Sequence, residues 1–296
     1  MKISKPSIIS IASIIFVISL ITFHQQIIDT FYKKNTRLKV KSSSVYNISH
    51  TYNLPGILDE ISGLAWLNNN TFACVQDEDG IIFIYDTNQN TIINEIKFAG
   101  SGDYEAIAIN NSDAYVLRSD GLIYEIKNYE SKSRKISKIE TPFNEDNNME
   151  SLTFDKQNNR LLIAPKDKDL GKKHIKSIYQ IPMLTKIMDS VPLVEIDLKS
   201  EALKDFQQKK TINTLRPSDI AIHPNTRDIY VLEGVNPKLL IFNKKGKFLK
   251  VHPLDQLTFA QPEGITFNNE GNLFISNEAT NNWANILEVH INLSST

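Results

Sequence analysis

A short motif that returns five times along the chain limits the possible folds more than any other property of this sequence. Its first residues are separated by 43, 45, 68 and 45 positions. A period near 45 residues is typical of a propeller blade built from four antiparallel strands. The sequence therefore predicts an all-β propeller of about five four-stranded blades, in which the motif forms the innermost strand. The copies are Ser62-Gly63-Leu64-Ala65-Trp66, Glu105-Ala106-Ile107-Ala108-Ile109, Glu150-Ser151-Leu152-Thr153-Phe154, Ser218-Asp219-Ile220-Ala221-Ile222 and Glu263-Gly264-Ile265-Thr266-Phe267.

The two ends of this region predict how the ring closes. The fifth unit stops after its third strand, near Ile291, and residues 46–54 precede the first motif without a blade of their own. The early segment can supply the missing outer strand, which would remove the exposed sheet edge. The propeller domain is therefore expected to span residues 46–296. In the long interval of 68 residues, Ser200 is a candidate N-cap for a short helical insert near residues 200–210, an interpretation favoured over a sixth, degenerate blade.

The first 45 residues form a separate region. Residues Ile8 to Phe23 are almost entirely apolar and follow Lys2 and Lys5, a pattern typical of a membrane anchor or a signal segment. No small-residue cleavage site follows, which favours an uncleaved membrane helix in residues 1–31 over a cleaved signal. Residues 32–45 are rich in Lys and Ser and are expected to be a solvated tether. Their positive charge opposes export, whereas the short basic leader favours it.

Composition excludes several classes of protein. Lys and Arg number 33 and Asp and Glu number 34, so charge gives no indication of nucleic-acid binding. The single cysteine, Cys74, excludes an intrachain disulfide framework and a multi-cysteine zinc site. Because it lies in an apolar run, Cys74 is expected to be a buried and unreactive thiol.

Several further motifs surround the repeat. They are Asp59-Glu60-Ile61-Ser62-Gly63, Val75-Gln76-Asp77-Glu78-Asp79-Gly80, Gly102-Asp103-Tyr104-Glu105, Arg216-Pro217-Ser218-Asp219, Gln261-Pro262-Glu263-Gly264 and Gly271-Asn272-Leu273-Phe274-Ile275-Ser276-Asn277-Glu278. Together these motifs resemble the SdiA-regulated, or YjiK-like, family of bacterial propellers. The resemblance covers about residues 46 to 291 and implies an extracytoplasmic propeller with an N-terminal membrane anchor, similar in outline to phytase-like and lactonase-like propellers. One departure is Asn277-Glu278-Ala279, where the family pattern has Glu directly after Ser.

Glutamates recur at the first position of the motif. Innermost strands line the central channel, so Glu105, Glu150 and Glu263 are expected around one mouth, with Glu60 two residues before Ser62 on the same strand face. Carboxylates that converge on one axis repel each other, and a bound cation relieves the repulsion. Oxygen ligands without His or Cys suit a hard cation, so Glu60, Glu105, Glu150 and Glu263 are a candidate Ca²⁺ site. The alternative is that each Glu ties its blade to the next through main-chain N–H groups.

Charged residues also follow the second strand of each blade. Because the second strand runs antiparallel to the first, its end returns to the mouth where the motif begins. These residues are candidates for binding a ligand at the mouth, and the alternative is solvated loop charge, which is the default for exposed loops. The candidates are Asp77, Glu78, Arg118, Lys166, Glu233, Asn277 and Glu278.

These observations favour a membrane-anchored, extracytoplasmic propeller that acts as a binding or interaction module for an unidentified small ligand or protein, with Ca²⁺ in the channel. The alternative is a metal-dependent hydrolase of the phytase-like or lactonase-like kind, which would use the acidic channel to polarise an oxygen and activate water. The sequence offers acids for that reaction but no distinctive base.

Overall fold

The computed structural model describes residues 46–68, 70–280 and 282–292, which form twenty β-strands and three short 3-10 helices. The apolar segment predicted to anchor the chain lies outside these residues. Among the described residues, no helix has the length and apolar character needed to cross a membrane.

The strands form five separate four-stranded antiparallel sheets, as the repeat predicts. Strand β1 (Tyr46–Asn53) precedes the first blade. Blades 1 and 2 contain β2 (Ile61–Asn68), β3 (Thr71–Gln76), β4 (Ile81–Asp86), β5 (Thr91–Lys97), β6 (Tyr104–Asn110), β7 (Asp113–Arg118), β8 (Ile123–Lys127) and β9 (Lys135–Ile139). Blades 3 to 5 contain β10 (Met149–Asp155), β11 (Arg160–Pro165), β12 (Ile175–Pro182), β13 (Val194–Asp197), β14 (Pro217–Ile222), β15 (Ile229–Glu233), β16 (Lys238–Phe242), β17 (Phe248–Pro253), β18 (Pro262–Phe267), β19 (Leu273–Asn277) and β20 (Asn285–Ile291).

The predicted closure of the ring is confirmed. The fifth sheet has the order β1-β20-β19-β18, so the first strand of the domain is the outer strand of the last blade. Its register pairs Tyr46 with Ile291 and Asn53 with Asn285. The innermost strands contact one another in chain order, and β18 contacts β2. This arrangement protects the edge that a fifth blade of three strands would expose.

Apolar side chains fill the spaces between neighbouring blades in five clusters, one for each pair of blades. Small motif residues allow this spacing: a Cβ added at Gly63 would lie 2.8 Å from the Cα of Ala106 in the next blade. Cys74 is fully buried in the cluster between blades 5 and 1, where burial raises the pKa of its thiol. Because the closed ring and all five clusters lie within residues 46–291, this part of the chain has a complete core and is expected to fold by itself.

The long interval between the third and fourth motifs contains the expected insert. It forms two 3-10 helices, Glu201–Phe206 and Thr211–Thr214, rather than an α-helix. Leu203 is buried in the cluster between blades 3 and 4, which fixes the insert to the ring. The Ser200 side chain makes no capping hydrogen bond.

Candidate functional site

A β-bulge recurs at the first residue of every motif. In each blade the pairing between the first and second strands skips that residue, as between Tyr104 and Ala106 or between Met149 and Ser151. Bulges turn a side chain away from the regular alternation of a strand and are common beside active sites. The five first residues therefore lie at equivalent positions around one end of the channel, which we call the upper mouth. They are Ser62, Glu105, Glu150, Ser218 and Glu263.

The two serines of this ring connect neighbouring blades. The Ser62 hydroxyl donates a hydrogen bond of 2.6 Å to the carbonyl oxygen of Tyr104 in blade 2. The Ser218 hydroxyl donates one of 2.9 Å to the carbonyl oxygen of Pro262 in blade 5. Within this ring of first residues, the two serine hydroxyl groups thus form direct hydrogen bonds between blades.

The three glutamates instead surround one ammonium group. Lys166 Nζ forms an ion pair with Glu150 Oε2, and Glu150 Oε1 accepts a hydrogen bond of 2.9 Å from Asn148 Nδ2. Burial alone would lower the pKa of Lys166, but the neighbouring carboxyl groups of Glu263, Glu150 and Glu105 raise it. Over the described residues, no main-chain N–H donates to the carboxyl group of these three glutamates within hydrogen-bond distance. Their carboxyl groups therefore face one another and the Lys166 ammonium rather than main-chain donors.

Burial changes the protonation of these glutamates. It raises the pKa of Glu105 to about 10, with further increases from Glu150 and Asp103. It raises the pKa of Glu150 to about 8, although the Lys166 ammonium acts in the opposite direction. The pKa of Glu263 is also raised by burial, against the influence of Lys166. At neutral pH the mouth therefore retains protons that ordinary surface carboxyl groups would have released.

Further carboxyl groups complete this end of the channel. Burial raises the pKa of Glu278 to about 8, and Glu263, Asp77 and Glu60 add to the shift. Burial also raises the pKa of Asp77, and Glu60 adds to it. The Glu60 side chain itself is exposed. We call this set the acidic mouth, and its members are Glu60, Asp77, Glu105, Glu150, Glu263, Glu278 and Lys166.

Sequence reasoning missed a second cation at this end. The Arg216 guanidinium bonds Asp167 Oδ1 through Nη2 at 2.8 Å and through Nε at 2.9 Å, and its charge lowers the pKa of Glu150 and Glu263. Arg216 immediately precedes the strand of the fourth motif. Its position at the start of an innermost strand was the signal available in the sequence.

The other predicted ligand-binding residues make their contacts outside the set of glutamates around Lys166. Arg118 pairs with Asp120 through two hydrogen bonds, of 2.6 and 2.9 Å, and lines a cavity of about 520 Å³ in blade 2. Glu233 forms a fully buried ion pair with Lys238. Asn277 is buried, and its amide donates to Asn285 Oδ1 at 2.9 Å. Glu78 is exposed in the turn after β3, where its main-chain carbonyl accepts from the N–H of Gly102 at 3.0 Å.

Asp219 occupies the second motif position in blade 4, where three other blades have Gly or Ala. Its buried carboxyl group accepts hydrogen bonds from the N–H groups of Ile220 at 2.8 Å, Ile265 at 2.9 Å and Leu152 at 3.3 Å. These donors belong to the innermost strands of blades 4, 5 and 3. Burial raises the pKa of Asp219, whereas the three N–H donors lower it. Asp219 therefore connects three blades below the mouth.

The described residues contain no group of three or more His, Cys, Asp or Glu side chains already arranged to hold a metal ion. The donor chemistry of the acidic mouth suits a hard cation, since all its acidic ligands are carboxyl oxygens. In this structure the Lys166 ammonium lies among them, and the Arg216 guanidinium adds positive charge nearby.

The fold and the site thus define the class of this protein, which is a closed five-bladed β-propeller with an acidic upper mouth. The sequence model of the SdiA-regulated family matches residues 40–282, and the chain belongs to that family. The solved structure of glutaminyl cyclase from Myxococcus xanthus is similar, with a TM-score of 0.57 and 12% identity over 83% of this chain and 96% of that chain. The structure of virginiamycin B lyase from Staphylococcus aureus has a TM-score of 0.46 and 14% identity to this chain. The match covers 83% of this chain and 73% of the lyase chain. At 12% identity, the likeness to the glutaminyl cyclase concerns the fold alone. None of the curated proteins compared with the chain matches it.

Proposed function

We propose that this protein is a binding propeller, anchored to the cell membrane with its domain on the extracytoplasmic side, and that its acidic mouth takes up a cation, with Ca²⁺ as the first candidate. The observation that carries the proposal is the arrangement of three equivalent, bulged glutamates around the single ammonium of Lys166. Glu60, Asp77 and Glu278 add to their negative potential.

Uptake of a cation would be an exchange. The mouth now limits its own repulsion by holding protons on Glu105 and by the Lys166 ammonium beside Glu150. A divalent cation can replace those protons, and Lys166 would have to move aside for the carboxylates to converge. Binding should therefore strengthen as pH rises, and Lys166 should compete with the metal. Glu60, Glu105, Glu150 and Glu263 would hold the ion through oxygen atoms.

The proposal predicts stabilisation of the isolated propeller by Ca²⁺. In residues 43–296, saturating Ca²⁺ at about pH 8 should raise the melting temperature by at least about 4 °C, because a ligand that binds only the folded state stabilises it. The Glu105→Gln/Glu263→Gln double variant should lose this response, since both substitutions remove a carboxylate. Differential scanning calorimetry with Ca²⁺, with Mg²⁺ and with chelator measures the effect.

The matched control is Glu201→Gln/Glu270→Gln, two exposed glutamates away from the mouth. It removes the same number of charges and should keep the full response to Ca²⁺. If neither Ca²⁺ nor chelator changes the melting temperature of the wild type, a stabilising metal is ruled out. An equal loss of the response to Ca²⁺ in both double variants would show that overall charge is responsible.

The proposed location predicts the activity of a reporter. Alkaline phosphatase fused to the C-terminus of the full chain should be active, because this enzyme needs its disulfides and forms them only outside the reducing cytoplasm. The fusion should sediment with membranes and resist extraction with high salt if residues 1–31 remain as an anchor. An inactive fusion would overturn export, and an active fusion found in the soluble fraction would indicate a cleaved signal.

A further inference from the structure

A basic groove opens at the end of the ring opposite the acidic mouth, between blades 3 and 4. It is a cavity of about 340 Å³, lined by four basic side chains and one carboxylate. That carboxylate, Asp155, is 3% exposed and bonds both Arg160 and Arg227. Lys244 and Lys245 reach the groove from the exposed turn between β16 and β17. Because a buried aspartate holds the two guanidinium groups in place, the groove is a built site for an anionic group.

A loop with exposed aliphatic side chains lies beside this groove. It connects β12 and β13, and Leu184, Ile187 and Val191 are 93%, 71% and 74% exposed. Met183 and Met188 of the same loop pack against the core. The loop is further held by the ion pair between Lys186 and Glu125, at 2.6 Å. Clusters of exposed large aliphatic side chains commonly mark a site of interaction with a membrane or another protein.

The groove and the loop form one continuous surface. Leu193, at the end of the loop, lines the groove. Gln180 links the two regions, since its side chain bonds Arg160 in the groove and Asp189 in the loop. The backbone at Gly246, just after Lys245, lies so close to Val194 that an added Cβ would be 2.9 Å from its Cγ2. We call this the lower surface, and its members are Leu184, Ile187, Val191, Arg160, Arg227, Lys244 and Lys245.

The chain also enters the propeller at this end. Tyr46 pairs with Ile291, and Leu273 of the next strand pairs with Val289. Leu273 in turn pairs with Phe267, the last residue of the innermost strand β18. Because β18 begins at the acidic mouth and ends at Phe267, β1 begins at the opposite end of the ring. Tyr46, the first described residue of the propeller, therefore lies at the same end of the ring as the lower surface.

We propose that the lower surface docks on a membrane that contains anionic phospholipids. Leu184, Ile187 and Val191 enter the boundary between headgroups and acyl chains, and the basic side chains of the groove contact lipid phosphates. Exposed apolar side chains and neighbouring positive charge are the two contributions that bind a protein to an anionic membrane surface. The docking extends the proposed membrane location and rests on it for its biological setting, but the surface should bind lipid without the anchor.

Vesicle sedimentation with residues 43–296 tests the docking directly. The propeller should bind vesicles of phosphatidylcholine with phosphatidylglycerol at least about tenfold more tightly than vesicles of phosphatidylcholine alone, and added salt should reduce the difference. Lys244→Ala/Lys245→Ala should lower affinity for the anionic vesicles about tenfold or more. Leu184→Ser/Ile187→Ser should weaken binding to them by a similar factor. Both pairs of side chains are exposed, so the fold should persist, as circular dichroism can verify.

Matched controls lie at the opposite end of the ring. Lys172→Ala/Lys173→Ala removes an exposed lysine pair from the turn before β12, and Leu257→Ser removes an 81% exposed leucine after β17. Neither should change vesicle binding. Equal losses in these controls would show that overall charge or hydrophobicity, and not this surface, drives binding.

Three further outcomes would overturn the proposal. The first is failure to bind either kind of vesicle. The second is binding of inorganic phosphate by calorimetry without binding to vesicles, which would identify a pocket for a free anion. The third is dimerisation that Leu184→Ser/Ile187→Ser abolishes, again without vesicle binding, which would identify an interface between two copies. An active phosphatase fusion beside any of these results would leave the proposed membrane location intact.

Discussion

Replacing Asp219 by alanine is expected to lower the free energy of unfolding by about 3–6 kcal/mol. The Asp219 carboxyl group accepts hydrogen bonds from three main-chain N–H groups on the innermost strands of blades 3, 4 and 5. Each buried donor that loses its partner costs about 1–3 kcal/mol, and alanine leaves no oxygen to replace the carboxylate. Urea unfolding of the propeller, followed by circular dichroism, measures the loss.

Two variants separate the hydrogen bonds from the change in packing. Asp219→Asn keeps one acceptor oxygen in nearly the same volume and should show an intermediate loss. Ser151→Ala alters the equivalent position of blade 3, where the buried hydroxyl has no hydrogen-bond partner, and should change stability by less than about 0.5 kcal/mol. If Asp219→Ala were as stable as Ser151→Ala, Asp219 would not connect the blades.

The Lys166→Met variant is expected to lose about 3–5 kcal/mol of stability at pH 8, because it leaves buried carboxyl groups without their cation. Its deficit should depend on pH. Burial already raises the pKa of Glu150 to about 8, above its unfolded value near 4.5, and loss of the ammonium raises it further. The folded variant then binds more protons than the folded wild type above about pH 8, so its deficit grows as pH rises through that value. Urea unfolding at about pH 5, 7 and 9 should show the smallest deficit at pH 5.

The control for this experiment is Lys168→Met, two residues away. Lys168 pairs with Asp146 at 2.7 Å, but both side chains are largely exposed, so its loss should have no measurable effect at any pH. A deficit in Lys166→Met that is equal at pH 5 and pH 9 would indicate lost packing. It would contradict the role of Lys166 as counter-charge for the acidic mouth.

The fold was predictable because its information repeats along the chain. Each motif copy carries the same apolar pattern, and the missing fourth strand of the last unit required a partner that only residues before the first motif could supply. The position of the helical insert was predictable from the sequence, but its type of helix was not. The insert is 3-10 helical, and the contact of Leu203 with the cluster between blades 3 and 4 is not visible in the sequence.

The site was predictable only in part, because side-chain direction depends on details that spacing does not contain. The period placed Glu105, Glu150 and Glu263 at equivalent positions, but the bulge that turns all three toward one ammonium leaves no mark in the sequence. Of the residues predicted after the second strands, Asp77, Lys166 and Glu278 belong to the acidic mouth, whereas others have different partners. Arg118 pairs with Asp120 at a separate cavity, and Glu233 is buried against Lys238.

Proton release on cation binding is the most direct test of an acidic mouth that exchanges protons for a cation. Ca²⁺ can be titrated calorimetrically into residues 43–296 near neutral pH, in two buffers with different enthalpies of ionisation. Because the pKa of Glu105 is about 10 and that of Glu150 about 8, binding should release about one proton or more per ion. Glu105→Gln/Glu263→Gln should abolish both the heat and the release. Absence of binding, or binding with no protons released, would contradict the exchange.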